Sequence, residues 1–178
     1  YLIPVSEYLN TGRELFSFAS ALNVLMVGIG SPIFGALSDK YGSGRAAIIG
    51  ILMVILSLFW MSNVQGAFDI MGSQIIFGFG CAGCGTAVVL GAVGRSVYHS
   101  NRTLALGVVM AAGSFGQFIM VPTISYLIEI LGWSQSLTVL VFVAAIMILF
   151  SFFLNFSQQS TSSQTGTTQS LKEAIIEA

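Results

Sequence analysis

Charge is scarce in this sequence. Six basic and seven acidic side chains make up 7% of its 178 residues, while 55% are hydrophobic and the mean hydropathy is +0.89. Soluble domains carry about a quarter charged residues, so this is the composition of a membrane protein. Histidine and cysteine are nearly missing too: two Cys, with the one His, His99, some distance along the chain in a loop, are too few for a structural zinc site. The formal net charge is −1 and the basic residues are scattered over several loops, which leaves no concentrated patch for nucleic acid.

What the sequence has instead is long apolar runs. Charge-free windows cover 15–38, 46–68, 70–94, 103–128 and 130–171, the last turning polar after Leu154. A spanning helix needs about 20 mostly apolar residues. The windows therefore predict five spans, near 15–37, 46–64, 70–94, 104–128 and 137–156. No charge falls inside them, so no substrate or proton site built on an intramembrane charge is expected in this chain.

The chain opens at Tyr1, and YLIPVSEYLN reads as the far end of an earlier helix breaking at Pro4. Residues 1–14 would be that end and an outer loop, and the sequence is expected to be a fragment. Alternating loops place Lys40, Arg45, Arg95, Arg102 and Lys172 on one side and Arg13 alone on the other. The positive-inside rule makes the first side cytoplasmic: loops 36–45 and 94–103 and the tail face inward, and Glu7, Glu14, Asp69 and Glu129 lie at or outside the outer interface. Residues 157–178 begin with SQQSTSSQTGTTQS, a linker composition, and Ser170 to Glu173 then forms a capping box at the head of a short amphipathic helix.

The stretch GFGCAGCG at 78–85 admits three readings. A dinucleotide turn needs its glycines between a strand and a helix start, in water, whereas these lie inside an apolar window. A C-x-x-C redox pair at Cys81 and Cys84 needs surroundings that stabilise a thiolate, and hydrocarbon does the opposite. Packing remains. Gly78, Ala82 and Gly85 make one small-residue stripe at helical spacing, and Gly80, Cys84, Ala87, Gly91 and Gly94 make another, so neighbours are expected on two faces. Gly107, Gly113 and Gly116 suggest the same for the fourth span.

Between the first two spans the sequence reads GALSDKYGSGR, at 35–45. Gly35 and Gly42 permit a tight turn, Asp39 could cap a helix or take a cation, and Lys40 and Arg45 suit a headgroup layer. This stretch resembles the G-x-L-[SA]-D-[KR]-[YF]-G-x-[KR] loop between helices 2 and 3 of the major facilitator superfamily, matching at Gly35, Leu37, Ser38, Asp39, Lys40, Tyr41 and Gly42, with Arg45 in place of a nearer basic residue. RTLALG at 102–107, AAGSFG at 111–116, Pro122 and LGW at 131–133 are similar to helix 5 of its monocarboxylate and oxalate/formate branch, closest to the bacterial members. At one fixed offset Pro122 follows Pro32, Leu127 follows Leu37, Glu129 follows Asp39 and Gly132 follows Gly42, as inverted three-helix repeats would require.

The resemblance implies an all-α polytopic membrane helix bundle, the N-terminal six-helix half of a major facilitator fold with helix 1 truncated, in a plasma or bacterial inner membrane. It implies a secondary active transporter of small organic anions, proton-coupled or exchanging, with no cofactor and no enzymatic activity. Its partners would be the anion, the bilayer and the missing C-terminal half, which with helix 1 holds the family's anion-binding bases. The family's loop aspartate locks the cytoplasmic gate, and Asp39, carried over, would pair with a base such as Arg95. Polar residues sharing helix faces give the candidate cavity wall: Ser20, Asn23 and Ser31, then Met110, Ser114 and Gln117, with Gln74 and Thr86 weaker. Hydrogen bonding between helices explains these equally well. Other readings stay open: an exporter of drugs or other solutes, a membrane thiol oxidoreductase, or a structural scaffold.

Overall fold

The computed structural model describes Val5 and residues 13–98 and 101–162, apart from the side chains at 13, 95, 96, 150 and 152–162. The expectations for 1–12 other than Val5, and for 163–178, lie outside the described residues. Every regular element among the described residues is a helix: α1 Arg13–Tyr41, α2 Ser43–Ser62, α3 Ala67–Cys84, α4 Thr86–Ser96 and α5 Arg102–Ser162. Four stretches are long and apolar enough to cross a membrane, Glu14–Tyr41, Ser43–Ser62, Ala67–Gly94 and Arg102–Leu149. Large apolar side chains face outward along them, with Val24 70% and Phe142 67% exposed. In a bilayer that exposure is matched by lipid tails as apolar as the side chains.

The helices overrun the charge-free windows because charged residues join their end turns. Glu14 sits in the first turn of α1 and Lys40 in its last, each facing the end of the helix dipole that favours it. The third window is two helices, α3 and α4, separated at Gly85, whose φ of −79° and ψ of −177° are extended. At 61 residues α5 far exceeds a bilayer crossing, and Gly132 breaks it into arms 102–131 and 133–162. Contacts show a reversal there. Arg102 lies against Gly94, Ser134 Oγ donates to Ser62 O at 2.8 Å, and Ser151 Oγ donates to Gly44 O at 3.3 Å. The second arm thus returns antiparallel to α2. It stays helical to Ser162, where a linker is expected from 157 onward. Extending a formed helix adds a hydrogen bond for each residue fixed, so a polar composition does not end it.

At the centre is α3, with α1 parallel on one face and α2 antiparallel on the other. A Cβ on Gly78 would stand 2.5 Å from Asn23 O, and one on Gly30 would stand 2.7 Å from Ala82 Cβ. On the other face, Cβ atoms on Gly80 or Gly83 would lie 2.8 Å from Val54 N or Gly50 Cα. Polar bonds reinforce both crossings at one level. Asn23 Nδ2 from α1 donates to Gln74 O at 3.1 Å, and Ser57 Oγ from α2 donates to Ser73 O at 2.7 Å. Val5, Ala19, Val64 and Ile70 form a core near the Gly132 turn, with Trp133 against it. Phe34, Ala46, Ala82 and Val88 form another near the Gly42 turn.

Candidate functional site

The loop at 35–45 is a fixed turn with two unlike sides. Gly42 has φ 92° and ψ 145°, a conformation that only glycine adopts readily, and its N–H donates to Ser38 O at 3.0 Å to close the end of α1. A Cβ on Gly42 would meet nothing within 4 Å, so the demand for glycine is conformational rather than steric. Ser38 and Ser43, both buried, share a hydrogen bond of 2.9 Å between hydroxyls across the turn. Leu37 packs on the core of Phe34, Ala46, Ala82 and Val88. Ser151 ties the second arm of α5 to the same loop through Gly44 O.

The charged side faces out. Asp39, Lys40, Tyr41 and Arg45 are exposed, and Lys40 Nζ lies 5.2 Å from the centroid of the Tyr41 ring. Gly35, half-buried in α1, has open space where its Cβ would be. The side chain of Arg95 lies outside the described residues, so its expected pairing with Asp39 does too. Beside the adjacent Gly94, Arg102 Nη2 would stand 3.0 Å from an added Cβ.

The candidate cavity residues fall into two groups. On α1, Asn23 is spent on the α3 carbonyl, and Ser20 and Ser31 donate back to Phe16 O at 2.9 Å and Val27 O at 2.7 Å. On the first arm of α5, Met110 is exposed, Gln117 is exposed, and Ser114 donates to Met110 O at 3.3 Å. A cavity of about 440 Å³ opens between α1, α2, α3 and both arms of α5, where Gln74 joins apolar residues including Phe16, Met61 and Ile124. The Nε2 of Gln74 there approaches Met61 Sδ at 3.7 Å. Of the cavity-wall candidates its walls include Gln74, and none of Ser20, Asn23, Ser31, Met110, Ser114, Gln117 or Thr86.

Two packing expectations need correction. Gly107, Gly113 and Gly116 have nothing within 4 Å of an added Cβ, because no described element covers that face of the first arm. Gly85 is not a packing residue along a continuous helix. It separates α3 from α4, and a Cβ there would lie 2.5 Å from Cys81 O. Gly78 and Gly80 lie at helix crossings, as described above. Cys81 and Cys84 are free thiols, and Cys84 Sγ donates to Gly80 O at 3.2 Å. No group of three or more His, Cys, Asp or Glu able to hold a metal occurs among the described residues. Ser43 and Ser151, which fix the loop, were not candidates from sequence. Their partners are set by the turn and by a contact 107 positions away, neither of which leaves a pattern along the chain.

Long apolar helices that cross at glycine, joined by a short turn with its charges exposed, make up a membrane helix bundle. The chain belongs to the Major Facilitator Superfamily, whose model matches residues 1–177, a family of transporters rather than enzymes. Monocarboxylate transporter 11 of Mus musculus is 26% identical over 144 residues, 78% of this chain and 31% of that protein. Monocarboxylate transporter 11 of Homo sapiens is 23% identical over 137 residues, 76% of this chain and 29% of that protein. The chain thus spans about a third of the length of these relatives. No solved structure matches it.

Proposed function

We propose that this chain is the N-terminal half of a secondary active transporter that moves small organic anions, of monocarboxylate or oxalate/formate type, by alternating access. The observation that carries the reading is the loop at 35–45. Its apolar and hydroxyl side is bound to α1, α2 and α5, while Asp39 stands exposed at the helix end. A carboxylate held on a rigid turn can meet a positive group on a facing half and release it as the halves rock, which sets the balance of outward and inward states. The names of the relatives favour a monocarboxylate, and the distribution of basic residues favours a cytoplasmic position for this loop. The anion's own positive partners would come from outside this chain, since its membrane windows carry no charge.

Counterflow of labelled lactate, pyruvate, oxalate and formate into proteoliposomes of the full-length parent tests the substrate class. Saturable uptake of one supports it, and a pH gradient then separates proton symport from exchange. A folded, inserted protein that takes up none of them contradicts the carboxylate reading.

A further inference from the structure

Two glycines among the described residues have positive φ, and they occupy matching places. Gly42 (φ 92°, ψ 145°) joins α1 to α2, and Gly132 (φ 78°, ψ 170°) joins the two arms of α5. Both conformations belong to the region of backbone space that is essentially reserved for glycine. The sequence correspondence places Pro32 with Pro122 inside the helix before each turn, and Asp39 with Glu129 three residues ahead of each glycine. Four residues beyond each glycine stands a fully buried side chain, Ala46 or Ser136, both 0% exposed. Asp39 and Glu129 are both exposed. Each turn is also tied to a distant helix by a serine: Ser151 reaches Gly44 O beyond the first, and Ser134, beyond the second, reaches Ser62 O.

Three membrane crossings separate the two turns: α2, α3 with α4, and the first arm of α5. They therefore lie at opposite faces of the membrane. We infer that Glu129 is the counterpart of Asp39 at the other face, a gate carboxylate that meets a positive group when that side closes. The inference rests on the gate reading of Asp39 given above. The geometry is that of one device built twice and inverted, so that each carboxylate stabilises the state in which the other is disengaged. Removing either charge shifts the population the opposite way.

The test uses the full-length parent with Cys81, Cys84 and any other cysteine replaced by serine, and one reporter, Gln117→Cys, on the exposed face of the first arm. A membrane-impermeant maleimide is applied from either side of oriented vesicles. Glu129→Gln is expected to speed labelling from the outer side and slow it from the cytoplasmic side by about fivefold or more, and Asp39→Asn to do the reverse. Glu129→Asp, which keeps the charge, is expected to retain the parent's rates, which separates a charge effect from a packing effect. Unchanged rates in Glu129→Gln, or a shift in the same direction as Asp39→Asn, would overturn the inference, and a shift in Asp39→Asn in that case leaves the Asp39 gate standing. A shift in Glu129→Gln beside unchanged rates in Asp39→Asn would support the outer role and place the failure in the gate reading of the loop.

Discussion

At single residues, the glycines divide by what a methyl group would meet. Gly80→Ala would drive a Cβ to 2.8 Å from Val54 N and 2.9 Å from Gly50 O, both parts of a backbone that cannot swing aside. Separating α2 from α3 to make room is expected to cost about 1–3 kcal/mol, read as a lower melting temperature of the full-length protein in detergent. Gly113→Ala, with open space at its Cβ, is expected to change that temperature much less. Gly42→Ala meets no atom yet forces an alanine into a glycine-only conformation, so a loss of about 1–3 kcal/mol is expected there for a different reason. The cysteines separate packing from chemistry. Double replacement of Cys81 and Cys84 by serine should leave most transport intact, and complete loss with normal insertion would revive the redox reading. The stripes containing Gly78 and Gly80 were legible because helical spacing shows which small residues share a face. Gly85 was not, because a spacing argument assumes the helix continues, and an extended ψ leaves no trace in residue type.

At the scale of the elements, α3 is held by neighbours that bond two consecutive carbonyls, Ser73 O from α2 and Gln74 O from α1. Interhelical side-chain hydrogen bonds in membranes contribute about 0.6 kcal/mol each, since the separated helices also find partners. Asn23→Leu and Ser57→Ala should therefore each lower stability only slightly, without changing substrate affinity. A large rise in apparent KM in Asn23→Leu would instead return that residue to the cavity wall. The apolar windows made the helices legible, because a chain in hydrocarbon must satisfy its backbone internally. Their ends were less so. Charged residues such as Glu14 and Lys40 interrupt a hydropathy window while stabilising the terminal turn that contains them. The reversal in α5 was marked in sequence by Gly132 and by the neighbouring Glu129. The contact from Ser151 to the loop at 35–45 could be seen only once α2 and the second arm lay side by side.

For the molecule as a whole, burial is concentrated on α3, and the outer helices expose large apolar side chains along their length. α3 is enclosed by α1 and α2, whereas the first arm of α5 exposes Phe115 64%, Phe118 76% and Val121 66% together with Gln117. Composition made the membrane class legible, and the loop at 35–45 gave the family, because a turn with glycine at a positive φ and charges on one side constrains several residue types at once. The cavity wall was not legible in the same way. Polar residues on one helix face serve neighbouring carbonyls or substrate with the same donors, and Ser20, Asn23 and Ser31 are engaged with carbonyls here.

The central proposal is that Asp39 acts as a gate. It is tested most directly by the initial rate of counterflow through full-length Asp39→Asn, measured beside the parent at equal membrane yield. Losing a gate contact of about 1.4 kcal/mol would shift the conformational balance about tenfold, and a fall in rate of that order with normal insertion is the predicted result. A rate equal to the parent's would contradict it and leave Asp39 as no more than the residue that ends α1.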